Sequence, residues 1–224
     1  MQITVHTASG APRGWRVLIG LTLKQIEYQI RYLEASKREH KCPEFLKLNP
    51  RGLLPVVVAD DRVLRDSLAI LAWLDRRFPD RPLFGSTTDE AADIWQLTTE
   101  CCDHLRGAAA DLLLPILVQN IELPEPGSQQ LVDLQSAAEK MKAECKYLDG
   151  LLQDREFLAG EQPSAVEAVV YPEVRLLQRA REREPRTMQA LGFDNLAQLY
   201  PRLWSWRERV GAIDGMSKTM PIHW

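Results

Sequence analysis

The amino-acid sequence predicts an α/β unit followed by an all-helical one. Three observations carry that reading. Short alternating or β-branched runs, punctuated by Pro and Gly, are confined to roughly the first 84 residues. A stretch rich in breakers, Pro79-Asp80-Arg81-Pro82-Leu83-Phe84-Gly85-Ser86-Thr87-Thr88, reads as a linker. From Asp89 onward the pattern is helical throughout. The expected domains are therefore 1–84 and 89–224.

Each element has its own signal. Ile3 and Val5 alternate with Gln2, Thr4 and His6, a short strand. A loop is expected from Thr7 to Gly14, then a helix whose face is Trp15, Leu18, Ile19 and Thr22. Glu27 to Leu33 alternates again, with Tyr28, Ile30 and Tyr32 on one side. The turn Asn49-Pro50-Arg51-Gly52 leads into Pro55-Val56-Val57-Val58-Ala59. Pro is tolerated at the head of a strand, where the ladder loses no interior donor, and the valines suit a buried strand. Arg62 to Arg65 supplies the other arm of a hairpin, and Asp66-Ser67 opens a helix running to about Phe78.

The second half begins with a long helix from Asp89 to about Asn120, apolar at Ile94, Trp95, Leu97, Leu105, Leu112 and Leu113, with Pro115 expected to kink or interrupt it. Leu123 to Ser128 reads as a loop and Gln129 to Gln153 as a second long helix. Ser164 and Glu167 have the spacing of a capping box at a further helix start. Arg175, Arg179, Arg181, Arg183 and Arg186, interspersed with Glu182 and Glu184, read as a solvated helical face.

Composition excludes several classes. A net charge of -3 offers no broad basic surface for nucleic acid or an anionic membrane. No apolar run reaches the length of a membrane span, and Met1-Gln2-Ile3-Thr4 lacks the basic and apolar regions of a signal peptide, so a cytoplasmic location is expected. Cys42, Cys101, Cys102 and Cys145 form no Cys-x-x-Cys, and none of His6, His40, His104 or His223 lies at ligand spacing from them. Reduced thiols and no metal site follow.

The candidate binding residues lie between Glu39 and Ser67. Ser67 stands where a helix N-terminus exposes unpaired N–H groups, a ready place for a carboxylate. His40 and Lys41 are cations on a polar loop, suited to a second carboxylate. Between them lies the strand that begins at Pro55. This order resembles the glutathione-binding half of the cytosolic glutathione transferases, and the segment Glu39-His40-Lys41-x-Pro43-Glu44-Phe45-Leu46 resembles the plant phi-type class. The resemblance implies a thioredoxin-like β-α-β-α-β-β-α domain, without the thioredoxin cysteine pair, followed by the family's helical domain. It implies that Leu54, before a cis Pro55, pairs its backbone with the cysteinyl part of glutathione. It implies further that Asp66-Ser67 holds the γ-glutamyl end and His40-Lys41 the glycine carboxylate. The family usually has Glu or Gln where this chain has Asp66.

The resemblance implies an enzyme that turns the thiol of glutathione, its co-substrate, into a thiolate and adds it to a small apolar electrophile, as a homodimer. A free thiol titrates near 8.5, so lowering it by about two units makes the thiolate dominant at neutral pH. The family places a hydroxyl or cysteine at the start of the first helix for this purpose. Counting back from Arg16-Val17, that position is Ala11, which has no donor. Ser9 is the first candidate to replace it, with Thr7, Arg13, Arg16 and the helix N-terminus as other sources of hydrogen bonds or charge. Trp95, Thr99, Cys102 and His104, on the long helix after Asp89, are candidates for the acceptor side. Two alternatives stand beside conjugation: a glutathione-dependent isomerase using the same site, and a non-catalytic binding or regulatory protein, which Ala11 favours.

Overall fold

A computed structural model describes residues 1–224. The chain divides into two compact units, Met1–Ile94 together with Gly211–Trp224, and Trp95–Val210. No helix is long and apolar enough to cross a membrane.

The first unit is built on a four-stranded sheet of order β2-β1-β3-β4, with β1 Ile3–Thr7, β2 Gln29–Tyr32, β3 Val56–Ala59 and β4 Arg62–Arg65. β1 runs parallel to β2 and antiparallel to β3, and β3 pairs antiparallel with β4. Helix α1 (Pro12–Leu23) makes the crossover between the parallel pair, α2 (Pro43–Leu48) precedes β3, and α3 (Ser67–Arg77) follows β4. This is the expected thioredoxin-like order. Val5 and Val57 face each other in register and are wholly buried, with Val17, Ile19, Leu21, Ile70, Leu71 and Leu74 from α1 and α3. Burying a side chain of this kind contributes about 1.5–3 kcal/mol, so these residues dominate the stability of the unit.

Two boundaries differ from expectation. Thr7 ends β1 instead of opening a loop, and α1 begins at Pro12 instead of Trp15. Proline at the first helical position loses no hydrogen bond, because that N–H has no partner in the helix. The segment after α3 is no free tether. Leu83 and Phe84 are buried, and Lys24 donates to the carbonyls of Asp80 at 3.1 Å and Arg81 at 2.8 Å. Burial holds the Lys24 ammonium below its usual range, against the pull of Asp75.

The second unit is helical. α4 (Thr88–Glu100) enters it, followed by a π-helical turn at Cys101–Leu105, then α5 (Arg106–Leu117), α6 (Gln129–Leu151), α7 (Ala165–Arg183), α8 (Pro185–Ala190), α9 (Leu196–Leu199) and α10 (Pro201–Gly211). The irregularity in the first long helix lies at Cys101–Leu105, not at Pro115. Pro115 sits in the closing turn of α5, which ends two residues later at Leu117. α5 packs on both α6 and α7, with Leu112, Ile116, Met141, Val170 and Val174 among the residues it buries there.

The capping box forms as expected. Glu167 is wholly buried at the start of α7, and its two oxygens accept four hydrogen bonds. Oε1 receives Leu158 N–H at 2.8 Å and Trp206 Nε1–H at 3.3 Å; Oε2 receives Ser164 N–H at 2.7 Å and Ser164 Oγ–H at 2.9 Å. Burial pushes this carboxyl up, and the four donors oppose the shift.

Candidate functional site

Strand register brings the site together. Val56 pairs with His6 on one side and with Arg65 on the other. Three segments therefore share one end of the sheet: the loop leaving β1, the Leu54–Pro55 peptide entering β3, and Asp66-Ser67 leaving β4. Sites at such strand ends are common because the backbone stops pairing with itself there.

At the first pole, Asp66 is the N-cap of α3 with φ at 70°. One carboxylate oxygen, Oδ1, accepts from Leu68 N–H at 3.0 Å and Ala69 N–H at 3.5 Å. The second oxygen is not used by the cap, and Asp66 is exposed, so it can receive an ammonium group. Ser67 is 2% exposed, and its Oγ accepts from Arg16 Nη1–H at 3.1 Å. A hydroxyl that accepts from a guanidinium still has its own proton to donate. Arg16 is itself 3% exposed, so a positive charge lies within the protein beside the N-terminal end of α3. Helix end, guanidinium and hydroxyl favour a carboxylate; the free oxygen of Asp66 favours the amine next to it.

The second pole is built by a turn. Asn49 is 4% exposed; its Nδ2 donates to Leu53 O at 2.7 Å and its Oδ1 accepts from Arg51 N–H at 3.2 Å. Lys41, in a short 3₁₀ turn over Glu39–Lys41, donates to Arg51 O at 3.0 Å. Gly52, at φ +55°, lets these pieces meet: a Cβ there would lie 2.7 Å from Lys41 Cδ and 2.8 Å from His40 O. His40 is half-buried, and its Nδ1 is buried with no hydrogen-bond partner. Lys41 and His40 thus stand beside the turn that delivers Leu54.

The Leu54–Pro55 peptide is cis. Leu54 stands outside the ladder, so its backbone N–H and C=O are not taken up by the sheet. Between a pole for a carboxylate and amine and the pole with Lys41 and His40 lie the backbone N–H and C=O of Leu54, unused by the sheet. An extended anionic peptide with charged ends fits this arrangement.

The loop between β1 and α1 carries the thiol-activating candidates. Thr7 is wholly buried, donates to Ala8 O at 3.3 Å, and lies under Gly14, where a Cβ would meet Thr7 Oγ1 at 1.7 Å. It is therefore not a donor to a ligand. Arg16 Nη1 donates to Ser67 Oγ. Ala11 is the N-cap of α1 and has no side-chain donor. Ser9 is partly exposed; its Oγ accepts from Ile222 N–H at 3.1 Å and lies 3.1 Å from His223 Nδ1. In the second unit, Thr99 donates back to the carbonyls of Trp95 and Gln96 at 2.9 Å. No group of three or more His, Cys, Asp or Glu side chains is placed to hold a metal ion.

Sequence reasoning had no signal for three of these contacts: Asn49 stapling the turn, Arg16 reaching Ser67, and residues 219–224 returning to the loop at Ser9. Asn49 carried only its turn preference. The other two join residues far apart in the chain.

The fold defines a thioredoxin-like domain, with the candidate site at one end of its sheet, joined to a helical domain. The family model for the glutathione S-transferase N-terminal domain matches residues 11–77, and that for the C-terminal domain matches residues 127–209. The chain belongs to the cytosolic glutathione S-transferase superfamily. It is 49% identical over 91 residues to glutathione S-transferase 1 of Dianthus caryophyllus, a match covering 41% of each chain. It is 27% identical over 206 residues to glutathione S-transferase A of Pleuronectes platessa, covering 90% of this chain and 89% of that one. The crystal structure of a glutathione S-transferase from the Antarctic clam Laternula elliptica superposes with a TM-score of 0.82 at 27% identity, over all of this chain and 94% of that one.

Proposed function

We propose that this protein binds glutathione across the two poles and transfers its thiolate to an electrophilic carbon of a small apolar substrate. The observation that carries this reading is the set of groups with bonding capacity left: Ser67 and Asp66, the Leu54 backbone, then His40 and Lys41. Glutathione has a carboxylate and amine at one end, a carboxylate at the other and a cysteinyl peptide between them. When bound, it supplies the nucleophilic sulfur. The protein's part is to hold that sulfur by the loop Thr7–Ala11 and to favour its ionised form. Ser9 is the hydroxyl assigned to that role, aided by the N-terminal N–H groups of α1. Arg13, on the exposed side of the first turn, adds positive charge nearby.

Calorimetric titration with glutathione tests the site. Binding weakened about tenfold by Ser67→Ala, the loss of one hydrogen bond to a charged group, supports it. No heat of binding in the unmodified protein would sink it. With binding established, Ser9→Ala should lower turnover of a general electrophile while glutathione affinity is kept. A second reading, a binding protein without catalysis, is favoured by Ala11 at the usual donor position. Tight glutathione binding with no turnover across aryl halides, epoxides and enones would select it. Isomerisation would instead give a product without the glutathionyl group. The assembly proposed is a homodimer, and a concentration series by light scattering that gives only monomer would overturn that part.

A further inference from the structure

Residues 212–224 return to the loop between β1 and α1, although they lie more than two hundred positions away in sequence. Three contacts hold them. Trp15 Nε1 donates to Thr219 Oγ1 at 2.9 Å, and Thr219 Oγ1 itself donates to Met216 O at 2.8 Å. The Trp224 ring meets Trp15 edge-on at 5.1 Å. His223 and Trp224 pass so close to Gly10 that a Cβ there would lie 3.2 Å from His223 Cε1 and 3.7 Å from Trp224 Nε1. Trp15 is almost fully buried, so the strap is tied to a fixed part of the fold, while His223 itself stays exposed. What the strap presents to the loop is two groups, both directed at Ser9 Oγ: the Ile222 N–H and His223 Nδ1, each at 3.1 Å.

A serine hydroxyl has one proton to give and two lone pairs to fill. Ile222 N–H fills one. If Ser9 gives its proton to a thiolate, only the second lone pair remains toward His223, and it is met favourably only by a proton on Nδ1. We propose that His223 is a positioning residue for Ser9. In the tautomer with its proton on Nδ1 it donates into Oγ. With Ile222 it then saturates the acceptor side of the hydroxyl and directs the Ser9 proton to the sulfur. A hydroxyl that accepts two hydrogen bonds is a stronger donor, because successive bonds polarise one another. The proposal rests on Ser9 being the thiol-activating hydroxyl.

The readout is the pKa of the glutathione thiol on the full-length protein, from the ultraviolet absorbance of the thiolate against pH at saturating glutathione. Ser9→Ala tests the underlying reading, and an unchanged thiol pKa there would remove both claims. With a shift in Ser9→Ala, His223→Ala is expected to raise the thiol pKa by about half a unit, about threefold less thiolate below the midpoint. His223→Asn, whose amide N–H takes the place of Nδ1–H, should restore the value. In the Ser9→Ala background, His223→Ala should add nothing, because it acts only through that hydroxyl. An unchanged thiol pKa in His223→Ala alone, or a fall accompanied by faster turnover, would overturn the positioning role and leave Ser9 standing.

Discussion

Ser164 and Ser67 both stand at helix starts, and their hydrogen bonding differs. Ser164, at the start of α7, lies in a closed set: its N–H and Oγ–H both go to Glu167, its Oγ accepts from Val166 N–H, and the carboxylate receives four donors in all. Ser67, at the start of α3, leaves capping to Asp66 and accepts from Arg16, with its own proton still to give. Residue type and burial are alike, since both serines are nearly inaccessible. The difference is hydrogen-bond saturation. A saturated buried network fixes a fold, whereas an unsaturated one beside a helix N-terminus is prepared for a ligand.

Substitutions can sharpen this contrast. The largest effect is expected for Glu167→Gln, which keeps the shape but sets an NH₂ group against two of the four donors. A loss of about 3 kcal/mol in denaturant unfolding is predicted, with glutathione affinity of the folded protein unchanged. A stability loss under about 0.5 kcal/mol would show that the network is dispensable. Ser67→Ala should reverse the pattern: about tenfold weaker glutathione binding by calorimetry with little change in unfolding midpoint.

Gly52→Ala lies between the two. The positive φ and the contacts with Lys41 and His40 predict a loss of about 1–2 kcal/mol in unfolding, accompanied by weaker glutathione binding because the turn carries Leu54. Loss of stability without loss of affinity would separate the turn from the site.

The smallest effect concerns thiols. Burial pushes Cys101 and Cys145 up to about 12, so neither forms appreciable thiolate near pH 8, whereas Cys42 is only half-buried. Alkylation followed by mass spectrometry should modify Cys42 well before Cys101 or Cys145. The same shift sets a sign. Above about pH 9 the unfolded thiols ionise and the folded ones do not, so these two cysteines make the protein less stable as pH rises through that range. An unfolding midpoint insensitive to pH between about 8 and 10 would contradict it.

Local signals in the sequence determined much of this protein. Alternation marked β1 and β2, valines headed by Pro55 marked β3, and Asp66-Ser67 and Ser164-x-x-Glu167 marked two helix starts, because each depends on neighbours within a few positions. The same segment, Glu39 to Ser67, supplied the candidate binding residues. Boundaries were less legible where two rules competed: Pro12 could start a helix or extend a loop, and in the fold it starts α1, with Gly14 packed closely on Thr7. The π-helical turn at Cys101–Leu105 had no periodic signature distinct from the helix around it. Tertiary structure alone decided which groups remain unsaturated. Arg16 takes one lone pair of Ser67 across 51 positions, and Ile222 and His223 reach Ser9 across more than two hundred. A hydroxyl's remaining capacity depends on every neighbour the fold brings to it, and those neighbours are set by chain topology rather than by sequence spacing.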